Sequence, residues 1–278
     1  MSHRLRFART PTGIAGLGVL GFVVCVAALG PLFAPHDPNL PIEPPLSGPS
    51  SSALLGTDDL GRDVLSRLLY GGRSVILLAL AATLLAYACG LLIGLSAGWS
   101  RGLLDPSLMR SIDVLLVFPP LLFMLILITA TGPSTAVLVL GVGVIQAPPI
   151  SRLVRTATME TSVRGYVEAA VARGETTTAI LGREIFPNIL PPILVDAGLR
   201  FTYSILIVAS VNYLGLGLQP PSSDWSLMIS ENREYISINS LSVLAPAAMI
   251  ALLTIGVNLI GDAVARSLGR SYVSRRVT

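Results

Sequence analysis

Six long apolar runs constrain this chain more than any other feature. They cover roughly 12–34, 74–98, 112–131, 134–151, 192–218 and 243–264. An α-helix rises about 1.5 Å per residue, so about 20 residues cross a hydrocarbon layer about 30 Å thick. Each run is near or above that length. Backbone groups in lipid must pair internally, so each run is expected to be helical. The expected fold class is all-α: a polytopic membrane protein with six transmembrane helices. The charge content agrees. Only 13% of residues are charged and mean hydropathy is +0.73, whereas a soluble domain carries about 25% charged residues.

The first run follows Arg4, Arg6 and Arg9 and so resembles a secretory signal. It is long for one, and no A-x-A-like cleavage site follows it, so a retained anchor is expected. All 19 basic residues are Arg and none is Lys. A Walker A loop needs a Lys to reach the β and γ phosphates, so this chain cannot bind ATP in that way by itself. Arginine placement also sets an expected orientation. Of the 19 Arg, only Arg62, Arg67, Arg73 and Arg233 fall in outer segments and Arg200 falls in the fifth run; the rest lie in inner segments if the N-terminus is inside. This bias puts both termini in the cytoplasm and explains the basic balance without any nucleic acid.

Cys25 and Cys89 each lie inside an apolar run, and His3 and His36 form no cluster with them. No metal site and no catalytic residue is expected. An intramembrane serine or metal hydrolase would need a His within a span. An ion-coupled secondary transporter would need ionisable groups near mid-membrane or inverted repeats. Among the polar residues in or near spans, Asp113 and Asp262 sit close to span ends, and Arg pairing or water accounts for them. Asn212 is the candidate for a pore-lining position.

Two segments break the rhythm of the spans. Outer residues 35–73 open with Pro35, Pro38, Pro41, Pro44 and Pro45 and end in Leu55 to Gly71. Leu60, Val64, Leu65, Leu68 and Leu69 share a helical face, Asp58 or Asp59 can cap it, and Asp63 can pair with Arg67. This predicts a short amphipathic helix on the outer membrane surface. Inner residues 152–188 contain Glu168-Ala169-Ala170, Arg173, Gly174, Thr177 and Pro187. Two short helices joined at Gly174 are expected, with the second stopped by Pro187. The chain divides at about residue 72 into an N-terminal anchor with its outer segment (1–72) and a five-helix core (73–278).

Glu168-Ala169-Ala170, three residues, Gly174, and the Ile185-Phe186-Pro187 ending resemble the cytoplasmic EAA loop of bacterial ABC importer permeases. Leu55 to Gly71, Asp113 to Pro119, Leu214 to Pro221 with Trp225, and Asn258 to Asp262 resemble further stretches of the C-type subunit of dipeptide, oligopeptide and nickel permeases. The match runs in order from about residue 10 to about 270. Glu175, Ser226 and Gly269-Arg270 depart from the family pattern.

The resemblance implies a type I ABC importer permease fold in a bacterial inner membrane. It implies an ATPase-coupling role for Glu168, Ala169, Ala170, Arg173, Gly174, Thr177 and Pro187. It implies that Gln219, Pro220, Pro221 and Trp225 face a substrate-binding protein. The implied partners are a B-type second permease, two ATPase subunits carrying ATP and Mg, and an extracytoplasmic binding protein, with no cofactor on this chain. The implied solute is a di- or oligopeptide, with nickel, glutathione or haem as alternatives within the family.

Overall fold

The computed structural model describes residues 10–100 and 104–274. His3, Arg4, Arg6, Arg9, Arg101, Arg275 and Arg276 lie outside the described residues. The helices are α1 (Pro11–Leu29), α2 (Val64–Trp99), α3 (Leu104–Val117), α4 (Pro120–Thr131), α5 (Thr135–Ser162), α6 (Gly165–Ala172), α7 (Thr177–Ile180), α8 (Phe186–Tyr213), α9 (Trp225–Asn232) and α10 (Leu241–Ser274). Among the described residues, β structure is limited to isolated bridges such as Pro41 with Arg62.

Among the described residues, five helical stretches are long and apolar enough to cross a membrane, and the bent pair α3–α4 makes a sixth if taken as one span. The expected third span is therefore not one straight helix. Its halves meet at 88°. The cause is local: Pro119 and Pro120 follow Phe118, and a proline both lacks the N–H of a continuing helix and disfavours helical backbone before it.

Small residues set the closest helix contacts, as in membrane bundles generally. On α2, Gly90, Gly94 and Gly98 recur every four residues along the face that meets α5. A Cβ on Gly94 would lie 2.6 Å from the Val154 Cβ, and one on Gly98 would lie 2.7 Å from the Arg155 carbonyl. The backbones of α2 and α5 thus approach where no side chain fits. The same device joins α1 to α10, where Gly16 meets Leu259 and Gly256 meets Leu20.

The apolar core forms three clusters along the bundle. Val23, Val75, Ile205, Trp225 and Leu253 pack together towards one end, called here the cap end. Ile150, Val154, Val167, Ile180 and Ile189 pack at the opposite, hairpin end. Met124, Leu138, Val142 and Val208 form the third cluster, which seats α4 against α5 and α8.

Three expected elements are corrected. Residues 55–63 form no surface helix; helix α2 begins at Val64 and runs without a break to Trp99. The pattern is the reverse of an amphipathic surface, since Arg62, Asp63 and Arg67 are buried while Leu60 is 55% exposed. The N-cap is Asp63, whose carboxylate accepts from the Ser66 and Leu65 amides at 3.0 and 3.3 Å, and Arg67 pairs with Asp58 rather than Asp63. Finally, Pro187 stops nothing. A π-helical turn at Leu181–Ile185 lets the Phe186 amide donate to the Leu181 carbonyl. Pro187 then sits near the start of α8, where its missing N–H costs little, and one helical path runs from Thr177 to Tyr213.

Candidate functional site

At the hairpin end, α6 closes in a Schellman turn. The Gly174 amide donates to the Val171 carbonyl at 3.0 Å and the Glu175 amide to the Ala170 carbonyl at 3.2 Å. Gly174 has φ +75° with nothing within contact of a built Cβ, so backbone conformation, not space, selects glycine here. The Arg173 guanidinium bridges to Glu175 at 2.5 Å. Glu175, the residue that departs from the family pattern, thus helps close the turn. The Thr176 hydroxyl then caps α7.

Val167, Ala170, Ile180, Ile185 and Ile189 anchor this hairpin on Ile150, Val154 and Ala86. Its other surface is exposed among the described residues. Glu168, Ala169, Arg173, Gly174 and Thr177 are all exposed on it. Ala170 is not: it is fully buried on the inner face. Its small size fits α6 against the bundle rather than against something outside. Pro187 is exposed but lies on the continuing helix beyond the hairpin. Sequence reasoning missed Val163, Tyr166 and Val171, which are 63%, 43% and 52% exposed on the same surface. Apolar residues in a segment otherwise read as a solvated hairpin were the available signal.

At the cap end, α8 stops in a second Schellman turn at Gly215, φ +72°. The following loop presents Gln219, Pro220 and Pro221 on the surface. Trp225 is different. It is fully buried, its indole N–H donates to the Leu68 carbonyl at 2.8 Å, and its ring covers Gly72, where a Cβ would lie 2.6 Å from the ring. It bolts α9 to α2 and offers no surface to a binding protein. Asn212 is also fully buried. Its amide donates to Asp224 at 3.1 Å and its oxygen accepts from the Leu218 amide at 3.0 Å. Both ends of the side chain are spent on holding the loop, so Asn212 has nothing to present to a pore.

Asp224 is the hub of that loop. It caps α9 through the Ser226 and Leu227 amides and accepts from the Ser74 hydroxyl at 2.7 Å. Burial pushes its carboxyl above the ordinary value, and the donors Ser74, Leu227, Ser226 and Asn212 oppose that shift. Beside it lies a charge lattice that the sequence did not reveal. Asp58 accepts from Arg62 and Arg67, both at 2.7 Å. Glu231 accepts from the same two guanidiniums at 3.1 and 2.8 Å. Asp59 at its edge has its pKa raised by burial first, then by Asp58 and Glu231.

Two further ion pairs tie α3 to α5: Asp113 to Arg152 at 2.6 Å and Asp105 to Arg155 at 2.5 Å. The pairing expected for Asp113 is thus present. Asp105, Pro106, Met109, Asp113, Arg152, Arg155 and Thr156 line a cleft between these helices.

This arrangement, a small-residue bundle with an exposed hairpin at one end and a stitched cap at the other, matches a known family. Residues 90–273 fit the model of the binding-protein-dependent transport system inner membrane component, and residues 3–49 that of the N-terminal transmembrane domain of oligopeptide transport permease C. The chain belongs to this permease family. A di/tripeptide transport system permease protein of Pseudomonas aeruginosa is 35% identical, covering 94% of this chain and 89% of that protein. A dipeptide transport system permease protein of Haemophilus influenzae is 32% identical, over 94% of this chain and 91% of that one. Among solved structures, an inward-facing MetNI methionine ABC transporter chain superposes with a TM-score of 0.59 at 18% identity, covering 72% of this chain and 95% of that one. This permease therefore has the ABC importer permease fold and is a C-type subunit, a multi-pass inner-membrane transport component.

Proposed function

We propose that this permease forms half of the translocation pore of a di- or oligopeptide importer. Its hairpin points into the cytoplasm, with both termini on that side, and rests on a partner ATPase. The cap faces outward, where Gln219, Pro220 and Pro221 meet a binding protein. A B-type permease completes the pore, and two ATPase subunits carry ATP and Mg. The relatives' names support the peptide assignment.

The observation that carries the coupling role is the single helical path from Thr177 to Tyr213. A push on Thr177 acts on the path itself, and one on Glu168, Ala169, Arg173 or Gly174 reaches it through the hydrogen-bonded turn at Gly174; the path ends in the cap. Swinging a two-state pore from 1:99 to 99:1 takes about 5.5 kcal/mol of differential binding, within reach of ATP binding by a partner dimer.

The test is reconstitution with the partner permease, ATPases and binding protein, followed by uptake of a labelled dipeptide. Uptake requires ATP hydrolysis if the reading is right. Gly174→Val forces a β-branched residue to φ +75°, a strain of about 1–3 kcal/mol. It should abolish ATP-driven uptake while the subunit remains in the membrane. Normal uptake by Gly174→Val would overturn the coupling assignment.

A further inference from the structure

The bundle carries charge where the apolar spans least allow it. On α8, Asp196 and Arg200 form an ion pair at 3.1 Å, with side chains 13% and 21% exposed. The Tyr87 hydroxyl on α2 donates to Asp196 at 2.7 Å. Their depth follows from α2. Arg73 stands near one end of its apolar stretch. Gly90 and Gly94, which touch Ile150 and Val154, mark the level of Arg152. Between these arginines lie about 18 residues of α2, or about 27 Å at 1.5 Å per residue, the thickness of a hydrocarbon layer. Tyr87 falls inside that stretch, in its hairpin-side half, so the Asp196–Arg200 pair does too. One turn deeper, Thr83 and Ser204 share a hydrogen bond of 2.7 Å.

The exposed face at this level sets a tyrosine hydroxyl and the ion pair beside Leu199, which is 53% exposed. Residues 196, 199, 200 and 203 share one side of α8 by helical spacing. Tyr203 is 54% exposed, and its hydroxyl has no hydrogen-bond partner among the described residues. Ionisable side chains at membrane depth are costly against lipid and face bundle interiors or water. Here the pair is neutral and internally satisfied, so it needs no complementary charge from a protein neighbour, yet it stays accessible. That combination suits brief contact with a charged solute better than a permanent interface.

We propose that the face of α8 carrying Asp196, Arg200 and Tyr203 lines the water-filled translocation path, where Arg200 and Asp196 meet the carboxylate and ammonium termini of a passing peptide. Tyr87 positions Asp196 from behind. The terminus-reading part rests on the peptide-importer reading above; the wet face does not.

The experiment uses the assembled importer in membrane fragments open on both sides, with Cys25 and Cys89 replaced by Ala. Tyr203→Cys and Leu199→Cys are each exposed to a negatively charged, membrane-impermeant methanethiosulfonate. Labelling of either position in the open fragments, with loss of uptake once the labelled importer is resealed into closed vesicles, is the expected result. Reaction of both only with an uncharged maleimide would mean a lipid or dry subunit contact and would overturn the proposal. Arg200→Gln should cut uptake of a free dipeptide at least tenfold more than uptake of the same dipeptide amidated at its C-terminus. Equal losses would remove the terminus-reading role. If the unmodified importer moved no peptide of either kind, the peptide reading would fail, and the labelling would still decide whether the face is wet.

Discussion

Trp225 shows how a residue type misleads when its surroundings are unknown. Tryptophan at a span end is commonly an interface anchor, and the resemblance suggested contact with a binding protein. Gly71 and Gly72 decide the matter. They open a slot on α2 into which the indole fits, closed on the far side by Ala27. Trp225→Ala removes a fully buried ring and leaves the Leu68 carbonyl without its donor. The expected cost is about 3–5 kcal/mol, read as a lower melting temperature of the purified complex in detergent. A variant that melts normally and loses only affinity for the binding protein would restore the surface role. Asn212 teaches the same lesson: a polar residue in a span is as readily a loop's fastener as a pore's lining.

At the scale of elements, spans were legible because length and apolarity are local properties, and α1, α2, α5, α8 and α10 all fall where apolar runs lie. Their ends were not legible. Helix α2 starts earlier than expected because Arg62 and Arg67, which look like a solvated surface, are held in the interior by Glu231, more than 150 positions away. The path through Pro187 was hidden because a π-helical turn absorbs the proline, and nothing in the composition announces such a turn. The hairpin was half legible: Gly174 named its own turn, while the inward aim of Ala170 depended on packing against α2 and α5. The glycine stripe on α2 was readable in principle, as three glycines spaced by four. Gly94→Leu tests it. A leucine there meets the Val154 side chain and the Ser151 carbonyl, so α2 and α5 must separate along their length. Overpacking of this kind costs about 1–3 kcal/mol or more. The expected readout is faster proteolysis within α2 or α5 in the membrane-embedded subunit, whereas Gly18→Leu, at an open position on α1, should leave the digestion pattern unchanged.

Over the whole molecule, the path from Thr177 to Tyr213 is useful only if its far end is held. The cap holds it. Segment 55–67 is stitched to 222–239 by the Asp58, Arg62, Arg67 and Glu231 lattice, by Arg67 to the Ser222 carbonyl at 3.1 Å, and by Asn239 to the Thr57 carbonyl at 3.0 Å. A buried ion network is weak evidence for net stability, but breaking one side of it is expensive because it strands a charge. Arg67 is fully buried and serves both acids. Arg67→Met leaves Asp58 and Glu231 sharing Arg62 alone, at an expected cost of about 3–5 kcal/mol. The double variant Arg67→Met with Glu231→Met removes one charge of each sign and keeps the Asp58–Arg62 pair at 2.7 Å, so it should regain most of that loss. Thermal unfolding of the purified complex measures both. If the double variant melts no higher than the single one, the lattice acts through shape rather than charge balance. If both melt like the unmodified chain, the cap is not what fixes the far end of α8, and the rigid transmission from hairpin to cap loses its fulcrum.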